Sequence, residues 1–158
     1  YWVLDFMKKK LMNHTYFDDT TFSLRGKNFY ITHGDGVLSW DYGYRILKKI
    51  IRSPFFIWCF RLLHPTLAYK IARKVSRTEN HPELPEEVRE KIRNELKKYA
   101  LTHFQKGFDY MVCGHYHLNE IIDVEKGKLA VLGDWQDDPS YAVFDGKELT
   151  LHQWENDA

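Results

Sequence analysis

Hydrophobic and polar residues alternate from Thr21 to Thr32 around Gly26-Lys27, which predicts a hairpin that delivers a strand, Asn28 to Thr32, into a core. Ahead of it, Val3 to about Met12 reads as a short helix. The strand ends at His33-Gly34-Asp35-Gly36, and the period then turns helical. Asp41 is an N-cap for a helix to about Arg52, and Pro54 and Pro65 stand where first-turn prolines open two more helices, the last ending near Arg73 to Arg77. A polar linker, Thr78 to Pro85, separates this helical insert from a long helix whose stripe is Val88, Ile92, Leu96, Tyr99 and His103 and which Gly107 stops. Beyond it the pattern predicts strands over Asp109 to Cys113, Leu118 to Val124, Lys128 to Leu132, Ser140 to Asp145 and Glu148 to Trp154, with Gly127 and Gly146 in the turns. Helices are thus inserted between β elements.

Charge sharpens that division. Between Tyr42 and Arg77 there are nine Lys and Arg and no Asp or Glu, so the insert carries +9 and the rest of the chain −8, although the total is only +1. With Phe55, Phe56, Trp58 and Phe60 interleaved, such a block attracts phosphates or anionic headgroups while its aromatics meet something apolar; an ordinary solvated helical face is the competing reading. The 158 residues, 44% hydrophobic and 28% charged, are enough for one sizeable core and exclude disordered and fibrous classes. The best apolar run, Phe55 to Leu63, is broken by Arg61 and is far short of a bilayer span. Cys59 and Cys113 lie far apart and read as small hydrophobes, which fits a reducing compartment rather than a disulfide framework.

Chemistry concentrates in two loops that follow apolar strands, Tyr30-Ile-Thr-His33-Gly-Asp35-Gly and Met111-Val-Cys-Gly114-His115-Tyr116-His117. In an extended backbone His115 and His117, at i and i+2, face the same side, so two imidazoles can approach one metal or two adjacent metals. A single histidine here reads as a hydrogen-bonded loop residue; the pair of loops together favours ligation. Asp35 either orients His33 or binds metal, and Asp134 in Leu132-Gly133-Asp134-Trp135 reads as a turn residue rather than a ligand. No Gly-rich phosphate loop, Ser-His-Asp arrangement or nucleophile elbow is present.

His33-Gly34-Asp35, Gly114-His115-Tyr116-His117 and the basic insert between them resemble the C-terminal half of a calcineurin-like metallophosphoesterase. Arg52-Ser-Pro54, Lys70-Ile-Ala-Arg73 and the ending Val131-Leu-Gly-Asp-Trp135 with Ser140 extend the likeness to the UDP-2,3-diacylglucosamine diphosphatases of lipid A biosynthesis. The resemblance implies an α+β fold, a four-layer α/β/β/α sandwich incomplete at its N-terminus, with 1–158 forming the C-terminal part of one domain and 41–78 a helical lid. It implies that His33 and His115 are ligands of one divalent ion and His117 of a second, with Mn²⁺ favoured and Fe or Zn²⁺ as alternatives. Asp41, Tyr44, Arg73, Lys74, Ser76 and Arg77 fall in the insert that contacts the lipid-linked sugar nucleotide in that family. Tyr116 stands where the family usually has Thr.

The family's Asp-x-His, Gly-Asp-x-x-Asp and Gly-Asn-His/Arg-Asp motifs do not occur here, and Tyr1-Trp2-Val-Leu-Asp-Phe6 resembles the sequence that follows the last of them. The expectation is therefore half of a dimetal site, inactive alone and self-associating through an open sheet edge. When complete, the enzyme would hydrolyse UDP-2,3-diacylglucosamine to lipid X and UMP. It would be cytoplasmic and peripheral on the anionic inner membrane face, with no nucleic-acid partner. A related phosphodiesterase and a non-catalytic fragment are the alternatives.

Overall fold

A computed structural model describes residues 15–16, 18–76, 84–135 and 138–154. The helix expected over Val3 to Met12 and most of the linker expected from Thr78 lie outside them. The chain opens with strands β1 (Thr20–Leu24) and β2 (Lys27–Thr32), joined by a turn in which Arg25 and Gly26 both take positive φ, as the right-handed twist of a tight hairpin demands. Three helices follow: α1 (Tyr42–Arg52), α2 (Pro54–Arg61) and α3 (Pro65–Ser76). Their boundaries are chemical. The Asp41 carboxylate accepts the Tyr44 backbone N–H, the Ser53 hydroxyl accepts that of Phe56, and Pro54 occupies the first turn of α2. The long helix α4 (Glu86–Phe104) then leads to β3 (Tyr110–Cys113), β4 (Glu120–Val124), β5 (Gly127–Val131), β6 (Ser140–Phe144) and β7 (Leu149–Gln153).

The first five strands form one mixed sheet in the order β1-β2-β3-β5-β4, with β2, β3 and β5 mutually parallel and the two edge strands antiparallel to their neighbours. Alternation along the central strands divides two cores. Met111, Cys113, Leu129 and Val131 point to α4, where Ile92, Leu96 and Ala100 meet them. Phe29, Tyr110 and Ala130 point the other way, onto Leu149, Ala142 and Phe144 of the β6-β7 hairpin. The described residues therefore stack as helix, mixed sheet and hairpin; a fourth, helical layer is not among them. The insert stands apart from both cores. Neither α1 nor α2 buries a residue fully, and Phe55 and Trp58 are 75% and 60% exposed.

Two details of the strand reading are corrected. The β4-β5 turn is Glu125-Lys126, with Glu125 carrying the positive φ, and Gly127 is the first residue of β5. Its missing side chain serves packing: a Cβ there would lie 2.6 Å from the Phe104 ring at the end of α4. Leu118 and Asn119 precede β4 rather than belonging to it; Leu118 is still buried in the core, and Asn119 turns the chain at φ 50°.

The cysteines differ in a measurable way. Cys113 is 1% exposed, and burial pushes its thiol up to about 12, whereas Cys59 in α2 is only half-buried. Native protein at pH 8 is expected to alkylate at Cys59 and leave Cys113 untouched until it unfolds, as read by peptide mass mapping. Equal labelling of both before unfolding would contradict the buried position of β3.

Candidate active site

Parallel pairing puts the ends of three strands side by side: Thr32 is registered with Cys113, and Cys113 with Val131. The loops that begin at His33, Gly114 and Leu132 consequently leave the same edge of the sheet, the position where crevices form in sheets with parallel strands. Leu132 N–H donates to Cys113 O at 2.9 Å, and the Tyr116 hydroxyl donates to Gly34 O at 2.8 Å, lacing the loops together. Gly34 makes this approach feasible. It has φ +89°, its N–H donates to Thr32 Oγ1 at 3.0 Å, and a Cβ there would lie 3.2 Å from Gly114 O. Tyr116, where the resembled family usually has Thr, is thus a tether between the histidine loops.

His33 and His115 meet edge to face, ring centroids 5.2 Å apart. Burial, and secondarily the neighbouring His33, hold the His115 imidazole below its ordinary pKa, so it is neutral with a lone pair to offer. His117 is near enough to influence His115 electrostatically, but its Nδ1 lies 3.4 Å from Asp134 Oδ2. The two histidines do not face one side through an extended strand, as i and i+2 would imply. Both have left-handed backbones, φ 67° and 50°, in a loop where bulky residues are strained. Among the described residues no three His, Cys, Asp or Glu side chains are grouped closely enough to hold a metal ion. What the described residues bring together is a pair of imidazoles, His33 and His115, with His117 nearby.

Of the residues expected to touch substrate, Asp41 caps α1, and Tyr44 stands at the site: its ring centroid is 5.4 Å from that of His115 and its hydroxyl donates to Asp35 Oδ2 at 3.2 Å. Arg73 and Lys74 are exposed on the last turn of α3. Arg77 and the side chain of Ser76 lie outside the described residues. Asp35 itself is clasped from α1, since Lys48 Nζ lies 2.8 Å from its Oδ2 and donates to its backbone oxygen at 2.9 Å. Asp134, read from the sequence as a turn residue rather than a ligand, does accept the Asp138 N–H on its backbone oxygen at 2.9 Å, and its carboxylate also faces His117. One participant escaped the sequence reading: Lys48 has no local signal beyond its place on the α1 face that carries Tyr44.

No protein-family model matches the chain. It is 30% identical, over 173 aligned residues, to a protein from Porphyromonas gingivalis named UDP-2,3-diacylglucosamine hydrolase, an alignment that takes in 98% of this chain and 65% of that protein. Proteins of the same name from Pseudomonas putida and Pseudomonas entomophila are 30% identical over 124 residues, 75% of this chain and 50% of theirs. The chain therefore spans between half and two thirds of the length of these curated relatives.

Proposed function

We propose that this chain, related over 98% of its length to the UDP-2,3-diacylglucosamine hydrolases, is the C-terminal part of a metal-dependent hydrolase that cleaves the pyrophosphate of UDP-2,3-diacylglucosamine. The observation that carries the reading is the meeting of His33 and His115 at the ends of adjacent parallel strands, with Tyr44 of the insert beside them. The fold of the whole is a four-layer sandwich in which α1 to α3 form a lid, and the enzyme works at the cytoplasmic face of the inner membrane. No helix among the described residues is long and apolar enough to cross a membrane, which is compatible with peripheral attachment.

His33 and His115 would hold one divalent ion and His117 the other, Mn²⁺ being favoured. When bound, two divalent ions make water nucleophilic at neutral pH and draw charge from a phosphoryl oxygen. The chain's own residues prepare that site. A neutral His115 needs no deprotonation before it ligates. Asp134 beside Nδ1 of His117 favours the tautomer that leaves Nε2 free. Asp35, held by Lys48, accepts the Tyr44 hydroxyl and so fixes the insert against the histidines. Exposed Phe55 and Trp58 are suited to acyl chains.

The imidazoles are neutral and supply no bridging carboxylate, so the 158-residue chain is expected to be inactive alone with Mn²⁺ on UDP-2,3-diacylglucosamine. A form extended by the sequence encoded ahead of Tyr1 is expected to turn over, to lose activity with chelator, and to lose about 100-fold or more in His115→Ala, since even outer-shell partners are worth about 10–100-fold. Equal turnover by the short and long forms refutes the assignment of half the site to residues outside this chain.

A further inference from the structure

Beside the histidine loops lies an open cavity of about 420 Å³ whose walls are Asp35 and Gly36 on one side and Arg45, Lys48, Lys49 and Arg52 on the other. The four cations stand at i, i+3, i+4 and i+7 of α1 and so form a single stripe, turned toward the loop that carries His33. The carboxylate that lines the cavity, Asp35, is engaged by Lys48 at 2.8 Å and by the Tyr44 hydroxyl. Arg52 reaches Asp18 at 3.6 Å, while Arg45 and Lys49 form no ion pair among the described residues. Like charges gathered in one concavity repel unless an anion sits between them, and guanidinium groups pair with phosphate oxygens through two parallel bonds.

We infer that this cavity is a phosphate-binding site in which Arg45 and Lys49, flanked by Arg52, grip a phosphate group independently of any metal held by the histidines. Asp35 and Lys48 form its floor, which sets the stripe on α1 at a fixed distance from His33. The geometry suits a phosphate on a soluble ligand and a phosphate on a lipid headgroup alike, so both sources are tested.

The full chain is titrated calorimetrically with inorganic pyrophosphate in chelator-containing buffer, and separately co-sedimented with vesicles of equimolar phosphatidylglycerol and phosphatidylcholine. Pairing Arg45→Gln with Lys49→Gln, both at exposed positions where glutamine keeps the helix, is expected to weaken pyrophosphate binding at least about tenfold, or 1.4 kcal/mol. Arg45→Lys, which keeps the charge but loses the fork, is expected to fall between. His115→Ala is expected to bind pyrophosphate as the parent does, which separates this site from the metal reading. Weakening in the pyrophosphate arm alone identifies a soluble phosphate, in the vesicle arm alone a headgroup, and in both a site open to either. Unchanged binding in both arms, or loss of pyrophosphate binding in His115→Ala, overturns the inference.

Discussion

Leu129→Ala is expected to cost about 3 kcal/mol, within the roughly 2–5 kcal/mol range of buried Leu truncations. Leu129 is fully buried in β5, registered with Met111 on one side and Ile122 on the other, and it belongs to the core formed with Leu96 and Ala100 of α4. Removing its branch leaves a hole that these neighbours relax only partly to fill. The effect is read from urea unfolding as a lower midpoint at unchanged slope. A loss below about 1 kcal/mol would mean that α4 does not seal this face of the sheet. Since a domain's whole stability is about 5–15 kcal/mol, the substitution removes a substantial fraction of it.

Asp109→Ala is expected to cost about 1–2 kcal/mol through register rather than volume. The Asp109 carboxylate accepts the Asn28 backbone N–H and the Lys27 ammonium, both at 2.9 Å, and its backbone oxygen accepts the Lys128 N–H at 3.1 Å. It therefore pins the starts of β2, β3 and β5 to one another. Most of the cost comes from the lost backbone bond, because the lysine is 43% exposed and its ion pair is screened. The Asn28 amide, and then Lys27, hold the carboxyl below its ordinary pKa. A depressed folded-state pKa gives stability that is present above the unfolded value of about 3.9 and is lost as pH falls through the folded one. Stability of the parent should drop more steeply below about pH 4 than that of Asp109→Ala. Parallel acid profiles for the two proteins would remove Asp109 from this role.

The elements were legible wherever a residue acts on its own neighbours. Asp41 caps its helix through a contact three residues away, Pro54 opens the next through its fixed backbone angle, and the alternation of β3 and β5 reports the two faces of the sheet directly. The candidate site was legible as a pair of loops, because histidines after apolar strands signal a strand end. Its interior was less so. The i, i+2 rule for His115 and His117 assumes an extended chain, and the backbone there is left-handed at both. Gly127 reads as a turn from sequence because nothing local reveals the Phe104 ring above it. The grip of Lys48 on Asp35 joins residues thirteen apart through a tertiary contact, which no periodicity encodes.

The parallel pairing of β2 with β3 has a consequence for how the chain is made. These neighbours in the sheet are separated by residues 33–109 in the sequence. At about 5–20 residues per second, a ribosome releases β3 roughly 4–16 s after β2. During that interval β2 has no parallel neighbour, and the layer that covers Phe29 and Ile31, the β6-β7 hairpin, is synthesised later still. The emergence of Tyr110 to Cys113 gives β2 its backbone partner, but the apolar face of the first hairpin stays uncovered until Ala142, Phe144 and Leu149 follow, so this sheet can close only when nearly the whole chain has been made.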